Sequence, residues 1–113
     1  MDFDWNSYYN LAKELSVCND EAKQRTAISR AYYSAYRLMR DKVSIASYEG
    51  RSSSHADVWN FIGKTNYRSC KSDGFILKEL RQKADYDANM PDLEADCEEA
   101  LILAEQIINK INN

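Results

Sequence analysis

The sequence has few residues that end or bend helices, with three glycines and one proline in 113 residues. Turn-rich β-sheet proteins need many more of both, so this scarcity favours long helices joined by short connections. Metal-binding residues are scarce as well. The three cysteines lie far apart without a CxxC pair, and His55 is the only histidine. The sequence therefore predicts no metal site, and we expect reduced thiols.

Long hydrophobic runs are also absent. No apolar stretch approaches the ~20 residues that a helix needs to cross a bilayer. The first nine residues, MDFDWNSYY, are acidic and polar, unlike a signal peptide. The sequence contains no phosphate-binding loop, dinucleotide fingerprint or nucleophile elbow. We therefore expect a cytoplasmic protein that has no cofactor and no membrane association.

The stretch from Arg25 to Lys42, RTAISRAYYSAYRLMRDK, organises the chain. Small residues recur every four positions, with larger apolar residues beside them at helical spacing: Ala27, Ala31 and Ala35, then Ile28, Tyr32, Tyr36 and Met39. Such a face is wide enough to form the centre of a helical bundle. One charge, Arg30, falls amid this apolar sequence. A charge there must be paired or must face a functional cleft.

Four further segments have helical patterns, at about 4–17, 54–63, 73–84 and 91–111. Residues suited to the N-cap precede the first three helices: Asp4, then Asn19 or Asp20, then Ser53 or Ser54. Pro91 suits the first turn of the last helix. Loops are expected at about 47–54, 63–72 and 85–92. With no internal repeat, residues 1–113 predict a single all-α domain, a four-to-five-helix up-down bundle.

The net charge of −3 is unevenly distributed. Residues 20–47 carry six Lys/Arg against three Asp/Glu, whereas residues 92–113 carry one against six. This pattern has two interpretations. The basic second helix and the acidic last helix attract each other within the bundle, or the basic region forms a groove for a phosphate backbone.

The first candidate site contains the only imidazole. In a functional interpretation, Arg51 holds a phosphate while His55 moves a proton. The alternative is a surface histidine in the first helical turn after a serine-rich loop. Tyr32 and Tyr33 have a similar pair of interpretations: they stack on a nucleobase, or they fill the core as aromatic residues at helical spacing do.

The second candidate site lies in the segment LRQKADYDANM. Arg81 and Asp85 are four residues apart and share a helix face if the helix reaches Asp85. An arginine beside an acid and the phenol of Tyr86 can bind phosphate or orient a base. The alternative is a structural pair that closes the helix, with Asp85 also neutralising Arg30.

Three segments of the chain, taken in order, resemble the HEPN superfamily of small prokaryotic helical-bundle proteins. SRAYYSAYR resembles the signature helix of the family. SHADVWNF, starting at Ser54, resembles its "SHxxVxxxF" helix start, although Phe61 stands one position earlier than in that pattern. LRQKADYD, starting at Leu80, resembles its "LRxxADYD" segment. The resemblance extends from about Tyr8 to Ile111. Each motif is weak alone, whereas three in this order and spacing are fairly specific.

This resemblance implies a bundle of HEPN type that commonly forms a homodimer. Such proteins are often encoded beside a minimal nucleotidyltransferase as a toxin–antitoxin pair, and others act in phage defence. Active HEPN ribonucleases share an arginine followed, after four to six residues, by a histidine, and they cleave RNA without metal in the dimer cleft. Here Tyr86 stands where that histidine would follow Arg81, and from Arg51 to His55 only three residues intervene. A phenol with a pKa near ~10 is a poor base at neutral pH.

Two hypotheses follow. In the first, the chain is an RNA-targeting HEPN protein of a toxin–antitoxin or phage-defence system, with a metal-independent ribonuclease activity carried by Arg81, Tyr86 and His55. In the second, it is a non-catalytic HEPN partner that binds a minimal nucleotidyltransferase or a nucleotide. A homodimer is expected in both. The remaining candidate residues of the cleft are Arg30, Asp85, Tyr32, Tyr33 and Arg51.

Overall fold

The computed structural model describes residues 2–43 and 54–113, which form five α-helices and contain no β-strand. In chain order they are α1 (Asn6–Ser16), α2 (Glu21–Lys42), α3 (His55–Ile62), α4 (Cys70–Tyr86) and α5 (Leu93–Asn112). α2 lies at the centre of the bundle because it packs against α1, α4 and α5, while α3 packs on α4. The predicted all-α bundle is confirmed. The loop predicted at 47–54 lies outside the described residues except for Ser54.

The apolar face predicted for α2 forms the core of the bundle. Ala27, Ala31 and Ala35 are completely buried, and their small side chains allow the neighbouring helices to approach closely. Tyr32 and Met39 beside them are completely buried as well. Burial of each such large side chain contributes about 1.5–3 kcal/mol to stability. The core role predicted for this helix is confirmed.

Two helices start at N-caps that the sequence predicts. A carboxylate oxygen of Asp20 accepts the backbone N–H of Lys23 at 3.0 Å and caps α2. Ser54 caps α3 through a capping box, in which its hydroxyl accepts the backbone N–H of Asp57 at 3.1 Å. The carboxylate of Asp57 in turn accepts the backbone N–H of Ser54 at 3.3 Å. This box fixes the start of α3 and therefore the position of its first residue, His55.

α4 is longer than predicted at both ends. It begins at Cys70 rather than Asp73 and ends at Tyr86 rather than near Ala84. Cys70 is buried against the core, so tertiary packing extends the helix into the loop that was predicted at 63–72. The extension at the other end brings the whole ADYD motif except its last residue into the helix.

The first and last helices begin later than predicted. Trp5 occupies the N-cap of α1 in place of Asp4, whose carboxylate accepts the backbone N–H of Asn6 at 3.0 Å. Pro91 precedes Asp92, the N-cap of α5, instead of standing in the first turn. Among the described residues, no helix is both long and apolar enough to cross a membrane.

The attraction predicted between the basic second helix and the acidic last helix does not take the form of ion pairs in the described residues. α2 packs on α5, but the ion pairs in this part of the chain join Arg25 to Glu21 and Arg81 to Asp85. Both of these pairs lie within one helix. The arginines of α2 therefore need another explanation.

Arg25 holds the end of α4 against α2. Its Nη1 donates to the carbonyl of Ala84 at 3.0 Å and to that of Asp87 at 2.6 Å, and its Nε donates to Glu21 at 3.0 Å. Carbonyls at the end of a helix have no intrahelical N–H partner, and arginine side chains satisfy them well. Arg25 thereby fixes the helix end that carries the ADYD motif.

Arg25→Ala is expected to lower the free energy of unfolding by about 1–2 kcal/mol, because two hydrogen bonds from a charged donor are lost. Urea denaturation followed by circular dichroism measures the change. Glu21→Gln is the matched control, since it removes the exposed ion pair and leaves the carbonyl hydrogen bonds in place. Equal losses in the two variants would show that the hydrogen bonds to α4 contribute nothing.

Candidate functional site

Three side chains from two helices form a hydrogen-bonded chain. Trp59 Nε1 donates to the hydroxyl of Tyr32 at 3.1 Å, and that hydroxyl lies 2.8 Å from Nδ1 of His55. α2 supplies Tyr32, while α3 supplies His55 at its capped start and Trp59 one turn later. Tyr32 and Trp59 are completely buried, and His55 is half-buried. These hydrogen bonds thus link the core to a partly exposed imidazole.

Trp59 sets the direction of this hydrogen-bonded chain. An indole N–H can only donate, so the oxygen of Tyr32 accepts there and keeps its own proton for Nδ1 of His55. Burial raises the pKa of Tyr32 well above its ordinary value, which keeps the phenol protonated. When Nδ1 accepts the hydroxyl proton of Tyr32, a neutral His55 carries its own proton on Nε2. In that tautomer His55 offers an N–H donor at the nitrogen that points away from Tyr32.

The ring of His55 lies flat against Tyr36, with centroids 4.2 Å apart and an interplanar angle of 16°. Burial lowers the pKa of His55 below its ordinary value, and the positive charges of Arg81, Lys78 and Arg40 lower it further. The imidazole is therefore mainly uncharged at neutral pH. In this state it binds an anion by hydrogen bonding rather than by charge.

The lowered pKa of His55 predicts how stability depends on pH. In the unfolded chain the pKa is about 6.5, so below that pH the unfolded state binds more protons than the folded state. The contribution of a neutral His55 is fully present above about pH 6.5 and is lost as pH falls through the folded-state pKa. Urea midpoints measured between about pH 7.5 and pH 5 should show this loss, and His55→Asn should reduce it.

A direct measurement of the same pKa is available because the chain has one histidine. An NMR titration of the wild type therefore follows a single imidazole. Its midpoint is expected below about 6.5. A midpoint at or above that value would contradict the burial of His55 among cations.

Arg81 joins α4 to this cluster of rings. Its guanidinium carbon lies 5.8 Å from the ring centroid of Tyr32, 5.5 Å from that of Tyr33 and 6.0 Å from that of Tyr86. Nη1 of Arg81 pairs with the carboxylate of Asp85 at 3.4 Å. The prediction that Arg81 and Asp85 share a helix face is confirmed.

The predicted neutralisation of Arg30 by Asp85 is wrong. In the described part of the chain, the ion pair of Asp85 is with Arg81, its neighbour one helical turn away. The guanidinium carbon of Arg30 instead lies 4.5 Å from the ring centroid of Tyr8 and 5.3 Å from that of Tyr33. Aromatic faces, rather than a carboxylate, stabilise this half-buried cation.

Two more arginines of α2 lie against rings. The guanidinium carbon of Arg37 lies 4.5 Å from the ring centroid of Trp5, and that of Arg40 lies 5.5 Å from the ring centroid of Tyr36. Nε of Arg37 is buried, and no hydrogen-bond acceptor reaches it within the described residues. In the same part of the chain, no ion pair involves Arg30 or Arg37. Both cations therefore lack a compensating carboxylate there.

These side chains line a cavity of about 410 Å³ at the start of α3, beside α1 and α2. Three arginines, four aromatic residues and the histidine form the lining: Arg30, Arg37, Arg40, Trp5, Tyr8, Tyr33, Tyr36 and His55. None of these lining residues carries a carboxylate. We call this the arginine–aromatic cavity. Its volume suits a small ligand, and its charge favours an anionic one.

The predicted site residues divide between this cavity and its surroundings. Three of them line it: Arg30, Tyr33 and His55. Tyr32 is completely buried, so the interpretation of this residue as core is confirmed and stacking on a nucleobase is excluded. Arg81 reaches the cluster from α4, whereas most of the Tyr86 side chain is exposed, at 78%. Arg51 lies outside the described residues.

The sequence interpretation missed five lining residues: Trp5, Tyr8, Tyr36, Arg37 and Arg40. A signal for two of them exists, because Arg30, Tyr33, Arg37 and Arg40 are spaced three, four and three residues apart and so share one face of α2. Trp5 and Tyr8 come from the other side of a helix–helix contact. No local pattern places them opposite these arginines.

A second cavity, of about 480 Å³, lies between the α1–α2 turn and α5. Its lining includes the carboxylates of Glu94 and Glu98 and the thiols of Cys18 and Cys97. Burial raises the pKa of Cys97, so this thiol stays protonated, and it donates to the carbonyl of Gln24 at 3.7 Å. Among the described residues, no group of three or more His, Cys, Asp or Glu is arranged to hold a metal ion. This cavity offers neither the positive charge nor the reactive groups of the first.

The chain matches no family model, no curated protein and no solved structure. The fold and the site define its class: a bundle with five helices in the described residues and a cationic cavity with aromatic walls. The chemistry of that cavity is therefore the basis for assigning a function.

Proposed function

We propose that this protein is an RNA-targeting protein of HEPN type, from a prokaryotic toxin–antitoxin or phage-defence system, and that it binds RNA phosphate in the arginine–aromatic cavity. The observation that carries the proposal is the lining of this cavity, where the described residues place three arginines among aromatic rings and no carboxylate. Positive charge on aromatic walls is the combination that single-stranded nucleic acids bind.

The ring contacts of the arginines support phosphate binding. A guanidinium that lies over an aromatic face keeps N–H groups at its edge for other acceptors. Nη2 of Arg30 also donates to the hydroxyl of Ser29 at 3.3 Å, and Nε of Arg37 is buried, so the other N–H groups are the candidates for binding an anion. Phosphate oxygens match the planar fork of a guanidinium. Arg30 over Tyr8 and Arg37 over Trp5 are two such groups on one face of α2. The Nε2–H of His55 adds a neutral donor at the same cavity.

The resemblance to HEPN proteins gains support from the arrangement of its three motifs. The first contributes Tyr32 and Tyr33, the second His55 and the third Arg81. These four side chains lie within one cluster of ring and hydrogen-bond contacts. Because side chains from all three motifs lie in one cluster, the joint occurrence of these motifs in the sequence has a structural reason. The family resemblance also supports a homodimer and a minimal nucleotidyltransferase as the partner.

Ribonuclease activity is the second candidate function, and the position of Arg81 favours it. Arg81 and His55 are 26 residues apart in sequence, yet both contact Tyr32 and Tyr33, and the charge of Arg81 lowers the pKa of His55. Cleavage through the ribose 2′-hydroxyl needs a base that takes its proton. When Nδ1 of His55 accepts from Tyr32, Nε2 already carries a proton. The geometry therefore favours binding over cleavage, as in the non-catalytic alternative.

A binding experiment tests the main proposal. Fluorescence anisotropy with a labelled single-stranded RNA of about 12 nucleotides compares the wild type with Arg30→Ala/Arg37→Ala. We expect the double variant to bind at least about tenfold more weakly, with a shallower dependence on salt. Lys110→Ala, on the exposed side of α5, is the matched control and should bind as the wild type does. Absence of RNA binding by the wild type, or equal binding by all three, would refute the proposal.

A separate assay decides the enzymatic question. RNA cleavage and growth toxicity are compared for the wild type, Arg81→Ala and His55→Ala. Equal behaviour of all three would exclude the ribonuclease activity and leave RNA binding as the function. Loss of cleavage in both variants, with helical content retained by circular dichroism, would establish that Arg81 and His55 act together in catalysis.

A further inference from the structure

We propose that the arginine–aromatic cavity binds the phosphorylated end of a single strand, with the terminal phosphomonoester at Arg30 and Arg37 and its nucleoside against the aromatic walls. This inference rests on the proposed function and names the part of the RNA that the site takes. An internal phosphodiester of a continuous strand would then be the weaker ligand.

The charge balance at Arg30 and Arg37 supports a terminal phosphate. Arg30 and Arg37 bring two positive charges, and no carboxylate among the described residues pairs with either. A phosphomonoester carries about −1.5 to −2 charges at pH 7, whereas a phosphodiester carries one. The monoester therefore balances both arginines, while a diester leaves one of them uncompensated in a partly buried site.

The number of acceptor atoms points the same way. A terminal phosphate has three free oxygens, and an internal phosphodiester has two. Arg30 and Arg37 offer two guanidinium groups, each able to donate to a pair of oxygens, and His55 adds a ring N–H. Three oxygens allow both arginines and the histidine to be satisfied together. Burial and the charges of Arg81, Lys78 and Arg40 lower the pKa of His55, which agrees with a neutral donor role.

The size and walls of the cavity favour a strand end over a duplex. A volume of about 410 Å³ lies in the range of small-ligand sites and gives room for one nucleotide unit. The walls include Trp5, Tyr8 and Tyr33, whose side chains are half-buried. Bases stack on such rings when they are unpaired, and a paired base remains inside its own helix.

The experiment compares otherwise identical RNA strands that differ only at their ends. Single strands of about 12 nucleotides carry a 5′-phosphate, a 3′-phosphate or hydroxyls at both ends, and their affinities are measured by competition in fluorescence anisotropy. A phosphate-ended strand is expected to bind at least about tenfold more tightly than the hydroxyl-ended strand, and the two phosphate arms identify which end is bound. A blunt duplex with the same terminal phosphate should bind more weakly than the single strand.

Two variants link the preference to the cavity. Arg37→Ala should remove most of the preference for a phosphate end, while Lys110→Ala, which lies outside the lining, should retain it. Equal affinity of the wild type for all three single strands would overturn this inference but leave the proposed RNA binding intact. Absence of binding to every RNA would overturn both. A phosphate preference that persists in Arg37→Ala would place the terminal phosphate elsewhere and also overturn the inference.

Discussion

Gly74→Ala is expected to lower the free energy of unfolding by about 2 kcal/mol, although alanine normally stabilises a helix relative to glycine. A Cβ at Gly74 would overlap three ring atoms of Trp59, much closer than van der Waals contact allows. Trp59 is completely buried, so its ring cannot move without displacing the core. The cost of overpacking, about 3 kcal/mol, therefore exceeds the gain of about 1 kcal/mol in helix propensity.

A matched glycine tests whether the effect is specific. Gly63 ends α3 in a right-handed helical conformation, and an added Cβ there would lie 2.6 Å from Cδ of Lys71, part of an exposed and flexible side chain. Gly63→Ala should change stability by no more than about 0.5 kcal/mol. In a Trp59→Leu background, Gly74→Ala should cost less than in the wild type. An equal cost in both backgrounds, measured by urea denaturation, would refute the clash.

The close approach of Gly74 to Trp59 also shows which features the sequence could predict. Periodicity and capping are local, so the buried face of α2 and the caps Asp20 and Ser54 were predicted correctly. These features depend on residues within about one helical turn of each other. Gly74 in α4 and Trp59 in α3 are 15 residues apart, and nothing in either segment indicates that they meet.

Arg25 and Asp85 illustrate the same limit for charged residues. In the sequence, Arg25 is one more cation near the start of a helix, yet its carbonyl acceptors lie 59 and 62 residues further along. For Asp85, the partner four residues away on the same helix was predicted, and the longer-range partner Arg30 was wrong. Local spacing therefore predicted the pair of Arg81 and Asp85. The acceptors of Arg25, in contrast, depend on the packing of α4 on α2.

Sequence reasoning predicted the histidine of the candidate site and two other residues that line it. It did not predict the shape of the site. His55 was identified because it is the only imidazole, and Arg30 because a charge was out of place in an apolar face. The cavity itself exists because α1 and the start of α3 meet the same face of α2. The aromatic walls that α1 contributes could not be predicted without knowledge of that contact.

The residues around His55 fall into two groups with distinct physical roles, the buried hydrogen-bonded residues and the arginines of the cavity. Tyr32 and Trp59 are core residues that happen to carry polar atoms, and their hydrogen bonds keep those atoms satisfied. Arg30 and Arg37 lie against ring faces instead, and the N–H groups at the edge of a guanidinium can donate to an anion. His55 belongs to both groups, since one of its ring nitrogens faces Tyr32 and its ring lines the cavity.

Tyr32→Phe is expected to lower the free energy of unfolding by about 2 kcal/mol, because it removes one oxygen that satisfies two partners. Nε1 of Trp59 would remain buried without an acceptor, and Nδ1 of His55 would lose its donor. An unsatisfied buried polar group costs about 1–3 kcal/mol, whereas the ring itself is retained and leaves no large void. Urea denaturation measures the loss.

Tyr9→Phe is the matched control, since it removes a hydroxyl that donates to the exposed carboxylate of Glu105 at 3.0 Å. Water replaces that partner, so its cost should stay below about 1 kcal/mol. A second readout follows His55: without the donor from Tyr32, its neutral form is less favoured, so its pKa should rise and its proton should no longer be confined to Nε2. Nitrogen NMR of the imidazole reports both changes. If Tyr32→Phe matches Tyr9→Phe in stability and leaves the imidazole signals unchanged, the chain from Trp59 to His55 does not set the state of this histidine.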